Sequence, residues 1–186
     1  MVLQKKLDKN SQTYKNLQTA FEGESGARVR YQIFASQAKK DGLMHVANIF
    51  NASSDNEKEH AEIWFKLLHD SSVPPTTADL LTAMKNEKYE WSTMYAEFEK
   101  TAKKEGYDAI SKLFHGVAEI EKFHENRYNN LLNQIKNKTM FKESKEVYWW
   151  CMNCGAFIKG KTAPSICPVC NHPQSYFVKK DIKISE

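Results

Sequence analysis

The sequence predicts an all-α four-helix bundle followed by a small β-rich metal-binding domain. Helix-forming residues fill long segments with short breaks between them, at residues 13–40, 42–70, about 76–104 and from there to about 136. A helix of roughly 28 residues spans about 42 Å, and helices of matched length with short connections favour a bundle. Beyond residue 136, glycines, prolines and alternating residues indicate short strands and turns, and all four cysteines lie there.

The breaks between the helices have recognisable chemistry. Asp41-Gly42 ends the first helix, because glycine tolerates the backbone conformation that follows a helix. Residues 71–77 form a loop that contains two prolines, and Thr76 or Thr77 can cap the third helix. Glu105-Gly106 separates the third helix from the fourth.

These boundaries predict the domain organisation. We expect a helical bundle at residues 1–136, a polar linker at residues 137–147 and a cysteine-containing domain at residues 148–186. The whole net charge of +4 lies after residue 136, but the lysines there are scattered as on a solvated surface, so we expect no nucleic-acid partner. The polar start and the lack of a long apolar run predict a cytoplasmic protein with no membrane contact.

Two Glu-x-x-His motifs are the strongest signal in the helices. They are Glu57-Lys58-Glu59-His60 and Glu121-Lys122-Phe123-His124, and residues three apart share a helix face, so each carboxylate and imidazole can reach one ion. A single motif of this kind would usually be a pair of surface residues. Both motifs, however, lie on apolar stripes, where a charge is costly unless it is paired or binds metal.

The first and third helices also carry acids on apolar faces. Glu24 shares its face with Phe21 and Tyr31, and Glu87 shares its face with Met84 and Trp91, with Glu90 one turn further on. A structural network of ion pairs would need buried cations, and Arg28 is the only obvious one. The sequence therefore predicts a two-metal site, and one Glu-x-x-His in each half suggests a weak internal repeat. Glu and His bind iron, manganese or zinc, so the donors alone leave the metal open.

The four cysteines predict a separate tetrathiolate site. Cys151-x-x-Cys154 and Cys167-x-x-Cys170 each offer two sulfurs, and clustering of this kind in a cytosolic protein favours a metal over disulfides. The alternative is a structural zinc ribbon, in which roughly 15–20 residues usually separate the two pairs. The sulfurs alone leave iron or zinc open.

The combination resembles rubrerythrin, a ferritin-like di-iron domain followed by a rubredoxin-like domain, over nearly the whole chain. The matching stretches are Phe21-Glu22-Gly23-Glu24-Ser25 with Ala27, Arg28 and Tyr31; Glu57-Lys58-Glu59-His60; Glu87-Lys88-Tyr89-Glu90 with Met94-Tyr95; Glu121-Lys122-Phe123-His124; and, in the tail, both cysteine pairs with Gly155, Gly160, Pro164 and Phe177.

The resemblance implies an activity and a set of ligands. Proteins of this family reduce hydrogen peroxide to water at a di-iron centre, as an oxidative stress defence. Their electrons pass through the rubredoxin iron from an NAD(P)H-linked reductase or another rubredoxin. Carried over to this chain, the iron ligands are Glu24, Glu57, His60, Glu87, Glu90, Glu121 and His124, with one iron exchanging His60 for Glu90 on oxidation. Tyr31 and Tyr95 match tyrosines that form hydrogen bonds beside the site.

The resemblance also raises the expectation of a homodimer in which the tail of one chain serves the bundle of the other. The alternative is a monomer whose own tail folds back. Two other functions stay open at this point: a ferroxidase or oxygen reductase that uses the same di-iron site, and a zinc-loaded structural protein.

Overall fold

The structure, a computed structural model, describes residues 6–180. Residues 1–5 and residues 181–186 of the predicted cysteine domain lie outside the described residues. The chain divides into two compact units, one ending at Pro75 and the other beginning at Thr76.

The first unit is a hairpin of two helices, α1 (Gln12–Lys40) and α2 (Met44–Leu68). The side chain of Ser11 caps α1 by accepting a hydrogen bond from the backbone N–H of Tyr14. Small buried residues let the two helices approach closely, and the Ser54 hydroxyl donates a hydrogen bond to the backbone carbonyl of Arg28 on α1. This packing fixes how Glu24 on α1 faces the Glu-x-x-His motif on α2.

The helices of the second unit are α3 (Thr76–Tyr89), α4 (Tyr95–Lys104) and α5 (Asp108–Lys136), and both α3 and α4 pack on α5. A five-residue π-helix, Glu90–Met94, joins α3 to α4. The third helix predicted from about residue 76 to 104 is therefore confirmed in extent, with a π-helical turn at its centre that the sequence analysis did not foresee. A π-helix accommodates one extra residue in a helical turn, and such turns are frequent at functional sites.

The two hairpins are structural repeats, as the paired motifs suggested. Gly42 and Gly106 both adopt positive φ, at 77° and 84°, where each first helix ends. Aromatic rings pack in the same way in both hairpins, with the same 5.5 Å between centroids for Phe34–Phe50 as for Phe98–Phe114 and 6.0 Å for Tyr31–Phe50 as for Tyr95–Phe114.

One spacing breaks the repeat. Tyr31 follows Glu24 by seven residues, whereas Tyr95 follows Glu87 by eight. The π-helix lies between Glu87 and Tyr95 and takes up the extra residue, so the aromatic packing is the same in both hairpins.

The C-terminal part is an antiparallel sheet of three strands, β1 (Lys142–Cys151), β2 (Phe157–Thr162) and β3 (Phe177–Lys180), in the order β2-β1-β3. Its core holds Trp149, Phe177 and two of the cysteines, and the Trp149 indole donates to the Gly160 carbonyl at 3.0 Å. Strand β1 begins inside the segment predicted as a linker, so only residues 137–141 connect α5 to the sheet.

The predicted fold class is confirmed: four long helical segments precede a small antiparallel sheet. Among residues 6–180, no helix has both the length and the apolar character that crossing a membrane requires.

Candidate metal centres

The first unit brings three predicted ligands together. Glu24 comes from α1, and Glu57 and His60 come from consecutive turns of α2; their ligand atoms all lie within 4.8 Å of one another. Nδ1 of His60 lies 2.8 Å from Oε2 of Glu57 and 3.9 Å from Oε2 of Glu24. We call these residues the first triad.

The second unit contains a matching group, the second triad, made of Glu87 on α3 with Glu121 and His124 on α5. Nδ1 of His124 lies 2.7 Å from Oε2 of Glu121 and 3.8 Å from Oε2 of Glu87. The distances repeat those of the first triad closely, as expected if each hairpin holds an equivalent half of a two-metal site. Two carboxylates and one imidazole are a donor set that iron accepts.

Glu90, the seventh predicted ligand, lies outside both triads as the first residue of the π-helix. Burial is the main cause of the raised pKa of Glu87 and of Tyr95, and the charge of Glu90 adds to both, so Glu90 lies near the second triad. The first hairpin has Ala27 at the corresponding position, three residues after Glu24. The surroundings of the two triads therefore differ by one carboxylate.

Hydrogen bonds within each triad contribute to the pKa shifts of its acids. A hydrogen bond to Glu57 raises the pKa of the Glu24 carboxyl, while a hydrogen bond to the His60 ring lowers the pKa of Glu57. Burial raises the pKa of Glu87, and a hydrogen bond to Glu121 raises it further. Metal ions and protons compete for these carboxylate oxygens, so metal binding should strengthen as the pH rises.

The predicted hydrogen-bonding tyrosines lie one helical turn or more beyond the triads. Burial, followed by the charges of Glu90 and Glu121, raises the pKa of the Tyr95 phenol, which places this side chain beside the second triad. Tyr31 occupies the equivalent position in the first hairpin, packed on Phe50. Neither phenol makes a hydrogen bond within residues 6–180, so the structure does not show the hydrogen bonds that were predicted for Tyr31 and Tyr95.

The four cysteines converge in the second unit as predicted. Their sulfurs lie within 4.8 Å of one another, with 3.7 Å between Cys151 and Cys170 and 3.7 Å between Cys154 and Cys167. A tetrahedral ion with bonds of about 2.3 Å separates its sulfurs by about 3.8 Å, so the cysteines fit such an ion. These separations are far longer than a disulfide bond, which is about 2.05 Å.

Two matched turns hold the cysteines. The N–H of Gly155 donates to the carbonyl of Cys151 at 2.8 Å, and the N–H of Asn171 donates to the carbonyl of Cys167 at 3.0 Å. Gly155 and Asn171 both have positive φ, which glycine and asparagine tolerate. Each turn thereby directs a pair of sulfurs to one point.

The thiols of Cys167 and Cys154 have pKa values shifted in opposite directions. Burial opposes ionisation of Cys167, but hydrogen bonds from the backbone N–H groups of Cys170 and Val169 lower its pKa to about 6. At Cys154 the backbone of Ala156 lowers the pKa, yet hydrogen bonds to the other sulfurs raise it to about 12. Metal binding at this site therefore releases protons as well.

Sequence reasoning missed three features near the triads. These are the π-helix, a hydrogen bond of 2.7 Å from Trp91 Nε1 to Glu125 Oε2, and the buried indole N–H of Trp64, which has no partner within residues 6–180. The unequal spacing from Glu87 to Tyr95 and from Glu24 to Tyr31 would have indicated the first. No pattern in the sequence indicates the indole contacts, because they depend on side-chain orientation.

Comparison with known proteins identifies the family. The family model described as Rubrerythrin matches residues 15–132, and the model described as Rubrerythrin, rubredoxin-like domain matches residues 149–178. The chain belongs to the rubrerythrin family. The family model confirms a di-iron domain in the helical part, and the rubredoxin-like model confirms an iron site at the four cysteines.

Individual rubrerythrins are similar over most of the chain. Rubrerythrin-1 of Clostridium acetobutylicum is 40% identical over 91% of this chain and 94% of its own length. The rubrerythrin of Porphyromonas gingivalis is 41% identical over 91% of this chain and 90% of its own length. A solved structure described as the partially reduced state of nigerythrin aligns at 25% identity over 96% of this chain and 92% of its own, with a TM-score of 0.36, which adds nothing to the assignment.

Proposed function

We propose that this chain is a non-haem di-iron peroxidase that reduces hydrogen peroxide to water with electrons relayed through its rubredoxin-type site. One observation carries the proposal: two Glu-Glu-His triads with nearly equal internal distances occur in the same chain as a tetrathiolate site. The overall reaction takes two electrons and two protons for each peroxide, which yields two molecules of water. The residues of the two triads would hold two iron ions, which together would supply both electrons that the O–O bond takes up.

The seven predicted residues keep distinct roles in this proposal. The two triads would each hold one iron, because each combines two carboxylates with one imidazole. Glu90 would be the further carboxylate that one iron takes in exchange for His60 on oxidation. Negative carboxylates favour the ferric state, so these residues would lower the cost of oxidising the metals.

The cysteine domain would deliver single electrons. Cys154 is exposed while Cys151 and Cys167 are fully buried, so one sulfur of the tetrathiolate faces solvent where a donor can approach. We propose an NAD(P)H-linked reductase or another rubredoxin as that donor. The potential of such an iron depends on hydrogen bonds to its sulfurs, which the Cys167 turn provides.

We also propose a homodimer in which the cysteine domain of one chain reduces the di-iron site of its partner. A chain with His124→Ala cannot complete its second triad, and a chain with Cys154→Ser cannot relay electrons. Subunit exchange between the two variants should restore turnover. No recovery in heterodimers verified by mass would favour transfer within one chain.

Metal analysis together with a visible absorption spectrum tests which metal the two kinds of site hold. Iron in both kinds of site, a red ferric tetrathiolate and peroxide consumption coupled to NADH through a reductase are expected. Zinc in the cysteine site would give a colourless protein and would support the structural alternative. An iron-loaded protein that turned over dioxygen but not peroxide would support a ferroxidase or oxygen reductase.

A further inference from the structure

The indole N–H of Trp64 is the buried side-chain donor that the rest of the structure leaves unexplained. Within residues 6–180 it is the one buried side-chain nitrogen or oxygen without a hydrogen-bond partner. Buried polar groups are bonded in the large majority of cases, because an unpaired donor forfeits its hydrogen bonds to water. The indole N–H of Trp64 is such an exception, so we expect it to gain a hydrogen-bond acceptor in the functional state of the protein.

Trp64 lies beside the residues of the first triad. It lies on α2, four residues after His60 and seven after Glu57, so it shares their helix face. Its indole N–H lies within weak hydrogen-bonding reach of the Glu24 carboxyl, although the contact lacks the geometry of an ordinary hydrogen bond. The Glu24 carboxyl is instead engaged with Glu57.

The second hairpin provides the contrast. Trp91, four residues after Glu87, donates its indole N–H to Glu125 at 2.7 Å, and Lys122 lies 5.4 Å from the centre of its ring. This indole is fully satisfied without any metal ligand. The unpaired donor is thus particular to the first triad.

We propose that Trp64 is a positioning residue for Glu24, whose carboxylate accepts the indole hydrogen bond when it binds metal. A carboxylate that binds metal carries a charge, and a charged acceptor attracts a nearby N–H more strongly than a neutral one does. The bond holds one oxygen of Glu24 and directs the other to the metal. This inference rests on the di-iron function proposed above and concerns the metal of the first triad only.

Trp64→Phe, with Trp91→Phe as the matched control, tests the proposal because both changes remove one indole N–H and the same volume. Ferrous iron is titrated anaerobically into apoprotein against a competing chelator, and urea unfolding of each apoprotein is measured alongside. Trp64→Phe should weaken one of the two bundle irons by about 10- to 100-fold, as for other residues that orient ligands. It should destabilise the apoprotein less than Trp91→Phe does, because only the Trp91 change breaks a formed hydrogen bond.

Each result decides between distinct outcomes. Wild-type protein that binds no iron beyond the tetrathiolate would overturn the di-iron function, and this inference with it. Wild-type binding of two bundle irons, with equal affinity in Trp64→Phe, would overturn the role of Trp64 alone. Weaker binding of both irons together with the larger loss of apoprotein stability would mean that Trp64 only packs, which also overturns the proposal.

Discussion

Nδ1 of His124 lies 2.7 Å from Oε2 of Glu121, so the two ligand atoms that one Glu-x-x-His motif offers already converge on one point. The i, i+3 spacing on α5 brings them together, and a bound ion would replace their mutual hydrogen bond with two coordinate bonds. Glu57 and His60 repeat the contact at 2.8 Å in the other hairpin. Most of the predictions that follow depend on this convergence.

Removing one donor from either motif should empty the helical site and leave the cysteine site intact. We expect Glu57→Ala or His124→Ala to lower iron affinity in the bundle by at least about 100-fold, since even residues that merely support ligands cost 10- to 100-fold. Iron analysis and peroxide turnover measure the loss, while the red tetrathiolate absorbance should be unchanged. Glu59→Ala is the matched control, because this exposed acid pairs with Lys58 and belongs to neither triad. Full activity in either ligand variant would refute the assignment.

The Glu87 proton should make the stability of the apoprotein depend on pH in a definite direction. The pKa of Glu87 is raised above its ordinary value of 4.5, chiefly by burial, so the folded apoprotein binds this proton more tightly than the unfolded chain does. The stabilisation that this proton gives to the folded apoprotein is complete below pH 4.5, and it is lost as the pH rises through the raised pKa of Glu87.

Urea unfolding of the apoprotein across this range, compared with Glu87→Gln, isolates the effect. The difference in unfolding free energy between the wild type and the variant should fall as the pH rises. Exposed Glu97→Gln controls for the loss of one surface acid. A difference that stayed constant or grew with pH would contradict the protonated state inferred for Glu87.

Breaking the tetrathiolate should separate electron supply from peroxide chemistry. Cys154→Ser removes one of four sulfurs, so we expect steady-state turnover with a reductase to collapse. A bundle that has been chemically reduced beforehand should still consume peroxide in a single turnover. Met152→Ala, an exposed neighbour in the same turn, serves as the control. Unchanged steady-state rates in Cys154→Ser would take the cysteine domain off the electron path.

Much of this architecture could be predicted because its determinants are local. The Glu-x-x-His and Cys-x-x-Cys spacings each bring ligands together within one or two turns, and the structure joins Glu24 and Glu87 to them across helix pairs as their apolar faces indicated. The π-helix was missed because helical periodicity alone does not report one extra residue. The start of β1 was missed because Lys142, Glu143 and Lys145 make a strand that is polar along much of its length.

The extra residue of the π-helix yields a further prediction. Deleting Thr93 would give the second hairpin the seven-residue spacing that the first has between Glu24 and Tyr31. We expect helix content and apoprotein stability to be kept, because a regular α-helix is the commoner geometry. Peroxide turnover should fall, because Glu90 begins the π-helix and its backbone would change to regular α-helical geometry. Circular dichroism measures the helix content, and peroxide assays measure the turnover. Wild-type turnover in the deletion variant would show that the π-helix has no part in the reaction.

The central claim is that the paired triads form a di-iron centre that reacts with hydrogen peroxide, and anaerobic stopped-flow mixing tests it most directly. Fully reduced protein is mixed with peroxide in one experiment and with dioxygen in another, and oxidation of the bundle irons is followed in each. We predict faster oxidation by peroxide, with this phase absent in Glu57→Ala. Oxidation by dioxygen that equalled or exceeded the rate with peroxide, or a peroxide phase that survived in Glu57→Ala, would contradict the account.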